Sequence, residues 1–218
     1  RLASARVDKF IANSKYVSKR IKKYYKRDSE VLYPPVDLNT FSVGEKKKAN
    51  YLAVGRLIPY KRFDLIVEAF NKLGLPLHIV GSGPEMRKLK KLAKANIKFL
   101  GNISNEGLRK EYENAKALIY PQIEDFGIVP LEAMASGTPV IALAKGGALE
   151  TVQEKISGLF FEEQNAESLI KAVEKFKKMK FDAKKVANSV QQFSSARFKA
   201  ELLRSIEKAW KLHKEMIG

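Results

Sequence analysis

The chain of 218 residues contains no cysteine, one tryptophan and two histidines. Without cysteine it forms neither disulfides nor thiolate metal sites, and this composition is compatible with a cytosolic setting. No apolar run approaches the ~18 residues that a membrane-spanning helix requires. No Asp-x-Asp pair and no cluster with metal-ligand spacing occurs, so we expect no metal ion or other cofactor. His78 lies in an apolar run and His213 near the end of the chain, which indicates structural or surface roles for both.

Positive charge is in excess, with 41 Lys and Arg residues against 24 Asp and Glu residues and a net charge of +17. One interpretation is that solvated, lysine-rich helix faces carry it, as in heat-adapted proteins. The other is that it attracts polyanions, either an anionic membrane surface or the phosphates of a ligand. We find no nucleic-acid motif and expect no nucleic-acid partner. We expect a cytoplasmic protein, with a peripheral position at the inner face of the membrane left open by the charge.

From residue 50 onward, short β-rich runs alternate with amphipathic helical segments, a pattern typical of parallel βαβ units. Residues 65, 66, 69, 70 and 73 form an apolar stripe, so the first helix is predicted to pack on a sheet. Because crossovers between parallel strands are right-handed, the predicted fold class is α/β, a Rossmann-like, doubly wound parallel sheet. The predicted strands are Tyr51–Val54, Leu77–Val80, Ile97–Leu100, Ala117–Tyr120, Pro139–Ala142 and Gly158–Phe161.

The first 41 residues do not follow this alternation. We predict a strand at Val7–Ala12, a basic helix capped by Ser14 and a short strand at Val31–Tyr33. The two prolines that follow favour an extended, stiff connection. The chain opens without a methionine, and we interpret it as a piece of a longer protein. The predicted units are the remnant of a preceding domain with a hinge linker (1–41), a Rossmann-like domain (42–195) and a long C-terminal helix that packs back toward the preceding domain (196–218).

Two glycine-containing loops follow the first two predicted strands, where ligands of an open parallel sheet bind. In the first, Gly55 permits close backbone approach, and Arg56 and Lys61 can bring two positive charges to one phosphate group. A lysine at a helix start opposes the helix macrodipole, which favours an anionic ligand as its reason. In the second loop, Gly81 and Gly83 allow a tight strand-to-helix bend, which a purely structural turn would also explain.

Two further loops follow later strands. The third loop has Glu124 and Glu132 with seven residues between them, and amides at a helix start there can bind hydroxyls or phosphate oxygens. The alternative is that both glutamates merely cap and solvate the helix. The fourth loop contains Gly146 and Gly147, which suit a diphosphate as well as they suit a plain turn.

Together the four loops resemble glycosyltransferase family 4, the retaining transferases with the two-domain GT-B fold. The segment from Glu124 to Glu132 resembles that family's signature of two glutamates, and Arg56 with Lys61 resembles its diphosphate-binding pair. Pro34–Asp37 resembles the hinge between the two domains of that family, and Asp8–Ser14 resembles the last strand of its N-terminal domain. The wording of Arg56–Asp64 followed by Gly81–Glu85 most resembles the mannosyltransferases of surface-polysaccharide assembly.

The resemblance implies the C-terminal, donor-binding half of a GT-B fold. The implied function of the intact protein is transfer of a hexose, with retention, from a nucleoside diphosphate sugar such as GDP-mannose to a polysaccharide or lipid-linked saccharide acceptor. The implied catalytic residues are Glu124, Arg56 and Lys61. The other implied contacts are the Phe126 and Gly127 amides for the sugar, Glu132 for the ribose, Gly55, Gly81 and Ile103 along the nucleotide, and Gly146 and Gly147 near the diphosphate.

The family's N-terminal glycine-rich loop, its sugar-contacting histidine and its acceptor site have no counterpart here. The missing N-terminal domain is therefore an expected partner, and we expect the chain alone to bind donor without turning it over. Two alternatives remain open from the sequence. One is a non-catalytic, basic Rossmann module that binds nucleotides, and the other is a sugar-nucleotide epimerase with the GT-B fold. Glu124 favours a ligand that carries hydroxyls.

Overall fold

A computed structural model of the chain describes residues 6–38, 40–44 and 49–217. The strands are β1 (Ile11–Ala12), β2 (Glu30–Val31), β3 (Asn50–Val54), β4 (Leu77–Val80), β5 (Ile97–Gly101), β6 (Ala115–Tyr120), β7 (Val140–Leu143) and β8 (Gly158–Phe161). The helices are α1 (Lys15–Tyr25), α2 (Phe63–Leu73), α3 (Met86–Leu92), α4 (Asn105–Asn114), α5 (Ile128–Ala135), α6 (Ala148–Thr151), α7 (Ala166–Lys177), α8 (Ala183–Asn188) and α9 (Ser195–Ile217).

The centre of the protein is a six-stranded, wholly parallel sheet with the strand order β5-β4-β3-β6-β7-β8. This is the order of a doubly wound sheet, in which the chain works outward from β3 in one direction and from β6 in the other. The predicted fold class is confirmed. The predicted strands match β3 to β8 to within two residues at either end.

Apolar runs form these strands because both faces of the sheet are covered. Tyr51 and Ala53 pack into one buried cluster, and Leu52 between them packs into the other, since successive side chains on a strand point to opposite faces. The predicted stripe on α2 is also confirmed, because Leu65 and Phe70 lie in the first of these clusters.

The strands of the N-terminal segment are shorter than predicted. The first covers Ile11–Ala12 instead of Val7–Ala12, and the second covers Glu30–Val31 instead of Val31–Tyr33. The two form a parallel pair by themselves, so the ladder extends only where they face each other. Tyr33 lies beyond the ladder, where its carbonyl accepts a hydrogen bond from Arg197 at 2.7 Å.

Helix α9 packs against this N-terminal segment. Ser205 is buried there, accepts a hydrogen bond from Lys9 Nζ at 2.8 Å and donates one to Glu30 at 2.9 Å. The apolar residues Leu203 and Trp210 of α9 are each 59% exposed, so the described residues cover little of their surface. No helix in the described part of the chain has the length and apolar character to cross a bilayer.

Candidate functional site

The sheet reverses its strand order between β3 and β6, and the loops that follow these two strands meet at its carboxyl edge. Lys61 Nζ from the first loop lies 2.9 Å from Glu124 Oε1 in the second. Their side chains are only 14% and 24% exposed, so the ion pair is poorly screened by water. This position is the crevice in which open α/β sheets bind their ligands.

Backbone packing shapes the loop after β3. Gly81 has φ of 124°, and a Cβ atom on it would lie 2.0 Å from the Gly55 carbonyl oxygen, so only glycine lets these two turns touch. Leu57 is fully buried and donates its amide to the Ser82 carbonyl at 2.9 Å. The buried leucine anchors the loop and leaves Arg56, its neighbour, exposed and without an ion pair to any described residue.

Lys61 occupies a short 3-10 turn at Pro59–Lys61, two residues before α2 begins. The sequence favoured an anionic ligand as the reason for a cation near this helix start. In the structure Glu124 already offsets that charge. Arg56 and Lys61 therefore differ, because one is free in the solvent and the other is held inside the crevice.

The loop after β7 packs against the loop after β6. The Gly147 amide donates to the Glu124 carbonyl at 2.8 Å, and a Cβ atom on Gly147 would lie 2.4 Å from the Phe126 backbone. The Phe126 ring is buried and contacts Tyr33 and Phe193, with ring centroids 5.7 and 5.6 Å away. Phe126 was predicted to act only through its backbone amide. In the structure its side chain also anchors the loop, through Tyr33, to the segment that leads into the hinge.

The amides of Phe126 and Gly127 donate no hydrogen bond to a described residue. Gly127 is the N-cap of α5 with φ of 92°, and no side chain caps the helix there. Free amides at a helix start, beside an ion pair, can bind the oxygen atoms of a ligand.

Tyr120 is a member of this site that the sequence interpretation placed only in a strand. Its hydroxyl is buried beside Glu124 and Gly127. Burial, and then the charge of Glu124, raises the pKa of Tyr120, so the hydroxyl keeps its proton and can donate it. A tyrosine as the last residue of a buried strand was the signal that could have indicated it.

Glu132 lies apart from the Lys61–Glu124 pair. It accepts a hydrogen bond from the Tyr112 hydroxyl at 2.8 Å. Burial raises the pKa of Glu132, although the bond from Tyr112 acts in the opposite direction. Its carboxylate lines a cavity of about 250 Å³ together with Asp37 of the hinge and Asn105 at the start of α4. Tyr112 was not predicted as a site residue.

The predicted site residues therefore fall into two groups. Ile103 lies on the loop between β5 and α4, where it packs on the apolar cluster that contains Tyr112, Tyr120 and Phe126. His78 bonds Glu111 at 2.8 Å on the flank of the sheet, in agreement with its predicted structural role. The group that the structure brings together around Lys61 and Glu124 comprises Gly55, Gly81, Phe126, Gly127, Gly146 and Gly147.

Two curated proteins illustrate the relatives of this chain. It is 32% identical over 192 residues to the D-inositol 3-phosphate glycosyltransferase of Geodermatophilus obscurus, covering 72% of this chain and 43% of that protein. It is also 32% identical over 151 residues to the GDP-mannose-dependent alpha-(1-6)-phosphatidylinositol monomannoside mannosyltransferase of Mycobacterium tuberculosis, covering 61% of this chain and 39% of that protein. The chain thus spans less than half the length of these relatives.

Among solved structures, Anabaena HepE in complex with UDP and glucose superimposes with a TM-score of 0.80 over 94% of this chain and 64% of that one. The sequence identity is 20%, so this likeness establishes the shared GT-B architecture alone. The protein-family model described as "Glycosyl transferases group 1" matches residues 37–193, which include both candidate loops and Glu132. The chain belongs to the glycosyl transferases group 1 family.

Proposed function

We propose that this chain forms the donor half of a hexosyltransferase, and that the full-length protein transfers a hexose from a nucleoside diphosphate sugar. The observation that carries the proposal is the Lys61–Glu124 pair beside the buried hydroxyl of Tyr120. A cation, a carboxylate and a hydroxyl at one crevice suit a ligand that carries both phosphates and sugar hydroxyls.

Different residues of the site are proposed to bind different parts of the donor. Arg56 and Lys61 bind the diphosphate, and their positive charges stabilise the negative charge that develops as the glycosidic bond breaks. Glu124 accepts hydrogen bonds from sugar hydroxyls, while the Tyr120 hydroxyl and the amides of Phe126 and Gly127 donate to sugar oxygens. Because the side chains of Lys61 and Glu124 are largely closed to water, their interactions are stronger than on the open surface, whereas Arg56 is exposed.

The remaining proposed contacts are with the nucleoside part of the donor. Glu132 accepts hydrogen bonds from the ribose hydroxyls in the cavity at the hinge, and the backbones of Gly81 and Ile103 line the nucleotide. We propose transfer with retention of anomeric configuration, on the resemblance to family 4. We also propose that no metal ion takes part, because the sequence has no Asp-x-Asp pair and no cluster with metal-ligand spacing. We further propose that the lysine-rich surface holds the protein at the inner face of a membrane, near a saccharide or lipid-linked acceptor.

The proposed donor is GDP-mannose. Its support is the resemblance of the first two loops to mannosyltransferases and a relative whose name includes GDP-mannose dependence. We expect calorimetry on this chain to show GDP binding about tenfold more tightly than UDP or ADP, since base discrimination rests on a few hydrogen bonds. Tighter binding of UDP would change the proposed donor base from guanine to uracil and would leave the proposed enzyme class unchanged. Absence of binding by all three nucleotides would refute the donor site itself.

The two glutamates are expected to affect binding differently. Glu124→Gln removes the partner that competes for Lys61, so free GDP should bind at least as tightly, whereas GDP-mannose should lose about tenfold in affinity. Glu132→Gln should weaken both ligands to a similar extent, because both carry the ribose. Calorimetric titrations of the two variants with the two ligands measure this difference.

Glu162→Gln is the matched control, since Glu162 is an exposed glutamate in another part of the chain. It should leave both affinities unchanged. Parallel losses for GDP and GDP-mannose in the Glu124 variant would show that Glu124 has no separate role toward the sugar.

A further inference from the structure

A second cleft opens at the carboxyl edge of the sheet, between the start of α1 and the loop after β7. It encloses about 390 Å³ and is lined by Lys15 and Lys19 of the helix and by Lys145 of the loop. Ile123 and Leu149 form an apolar part of its wall and are 37% and 55% exposed. The candidate donor site uses none of these five side chains, although Gly146 of that site also lines the cleft, so the two adjoin.

The cleft carries more positive charge than its own residues neutralise. None of Lys15, Lys19 and Lys145 forms an ion pair with a described residue. The neighbouring Arg20, by contrast, is paired with Asp125 at 2.6 Å. Three cations that face one concave surface repel one another, and an anion bound between them removes that repulsion.

Glu150 is the carboxylate that lines this cleft, and its oxygen atoms are already engaged. Oε2 accepts hydrogen bonds from the Lys15 amide at 2.8 Å and the Tyr33 hydroxyl at 2.9 Å, and Oε1 accepts one from the Tyr16 amide at 2.9 Å. Burial, and then the bond to Glu150, raises the pKa of Tyr33 to about 12, so its hydroxyl stays a donor. Glu150 thus fixes α1 to the loop and leaves the lysine side chains for a ligand.

The position of the cleft relates it to the donor site. Along the sheet edge, β6 lies between β3 and β7, and neighbouring strands are ~4.8 Å apart. The ends of β3 and β7 are therefore about 10 Å apart along the edge, and the loop that carries Glu124 follows the strand between them. Ile123 lines the cleft while Glu124, the next residue, contacts Lys61. A donor whose sugar lies at Glu124 would present it toward the cleft.

We propose that this cleft binds the phosphate group of a phosphorylated acceptor. The inference rests on the proposed function, because it takes the donor sugar to lie at Glu124. The lysines supply charge-assisted hydrogen bonds to the phosphate oxygens. A phosphate held there brings an acceptor hydroxyl to the sugar end of the donor. The same chemistry is offered by a soluble sugar phosphate and by the headgroup of a phospholipid.

The test uses the whole chain saturated with GDP. In one arm glycerol phosphate is titrated and followed by calorimetry, and in the other the chain is sedimented with vesicles of phosphatidylcholine containing phosphatidylglycerol. The variant Lys15→Gln/Lys19→Gln/Lys145→Gln should lose tenfold or more in affinity in at least one arm. The matched control Lys171→Gln/Lys175→Gln/Lys178→Gln removes the same charge from exposed positions on α7 and at its C-cap, and it should lose less than about twofold.

Loss of affinity in the first arm identifies a soluble phosphate as the source, and loss only in the second identifies a lipid headgroup. Equal losses in the two triple variants would show general attraction to charge and overturn the proposal. So would competition between GDP and glycerol phosphate, which would place the cleft inside the donor site. GDP affinity, read separately in each variant, distinguishes a failure of this inference from a failure of the donor site.

Discussion

Arg56→Ala is expected to weaken the binding of a nucleoside diphosphate by roughly ten- to a hundredfold. Hydrogen bonds to charged groups contribute ~1.5 to 3 kcal/mol, and each 1.4 kcal/mol is a factor of about ten in affinity. Arg56 is exposed and has no ion-pair partner among the described residues, so its removal leaves no buried charge behind. Calorimetry with GDP measures the loss, and circular dichroism checks that the variant is folded.

Arg204→Ala provides the control, because Arg204 is an exposed arginine on α9, away from the loops of the crevice. It lowers the net charge by the same amount and should leave the affinity for GDP within about twofold of the starting value. An unchanged affinity in a folded Arg56 variant would remove Arg56 from the diphosphate site.

Gly81→Ala is expected to have the largest effect on stability, a loss of about 3 kcal/mol in the free energy of unfolding. Strained backbone at a positive φ costs ~1 to 3 kcal/mol, and overpacking costs a similar amount. A Cβ atom there would lie 2.0 Å from the Gly55 carbonyl oxygen, so the backbones of two loops must separate. Since Gly55 precedes Arg56, GDP affinity should fall as well. Urea unfolding and calorimetry measure the two effects.

Gly74→Ala separates strain from collision. Gly74 also has positive φ, at 66°, but a Cβ atom on it would meet no atom within 4 Å. Its substitution should therefore cost only about 1 kcal/mol, the strain alone, and leave GDP binding intact. If the two glycine variants lost equal stability, the contact between Gly55 and Gly81 would not be what requires glycine.

The fold could be predicted because its signals lie between near neighbours in the chain. Uninterrupted apolar runs such as Val140–Leu143 indicate strands covered on both faces, and the stripe on α2 has the helical period. The short N-terminal strands were predicted too long, since a strand's extent depends on a partner that local sequence does not reveal. Val31–Tyr33 reads as β-rich, yet Tyr33 is drawn away by Glu150 and Arg197.

The candidate site could be predicted in part for the same reason. Glycines and charges in strand-to-helix turns are visible along the chain, and Arg56, Lys61, Glu124 and Glu132 were named from them. Tyr120, Tyr112 and Glu150 were not, because each acts on a residue from another element and looks like an ordinary strand or helix residue in the sequence.

The sequence by itself determined the parallel α/β class, the positions of β3 to β8 and the loops that could hold a ligand, because periodicity and turn chemistry act over a few residues. The tertiary structure alone decided which loops meet. Strand order places β3 beside β6, which pairs Lys61 with Glu124 and sets Glu132 apart in its own cavity. It also brings Lys145 to α1 and forms the second cleft. Such contacts depend on how distant segments pack, and no local pattern encodes their distances.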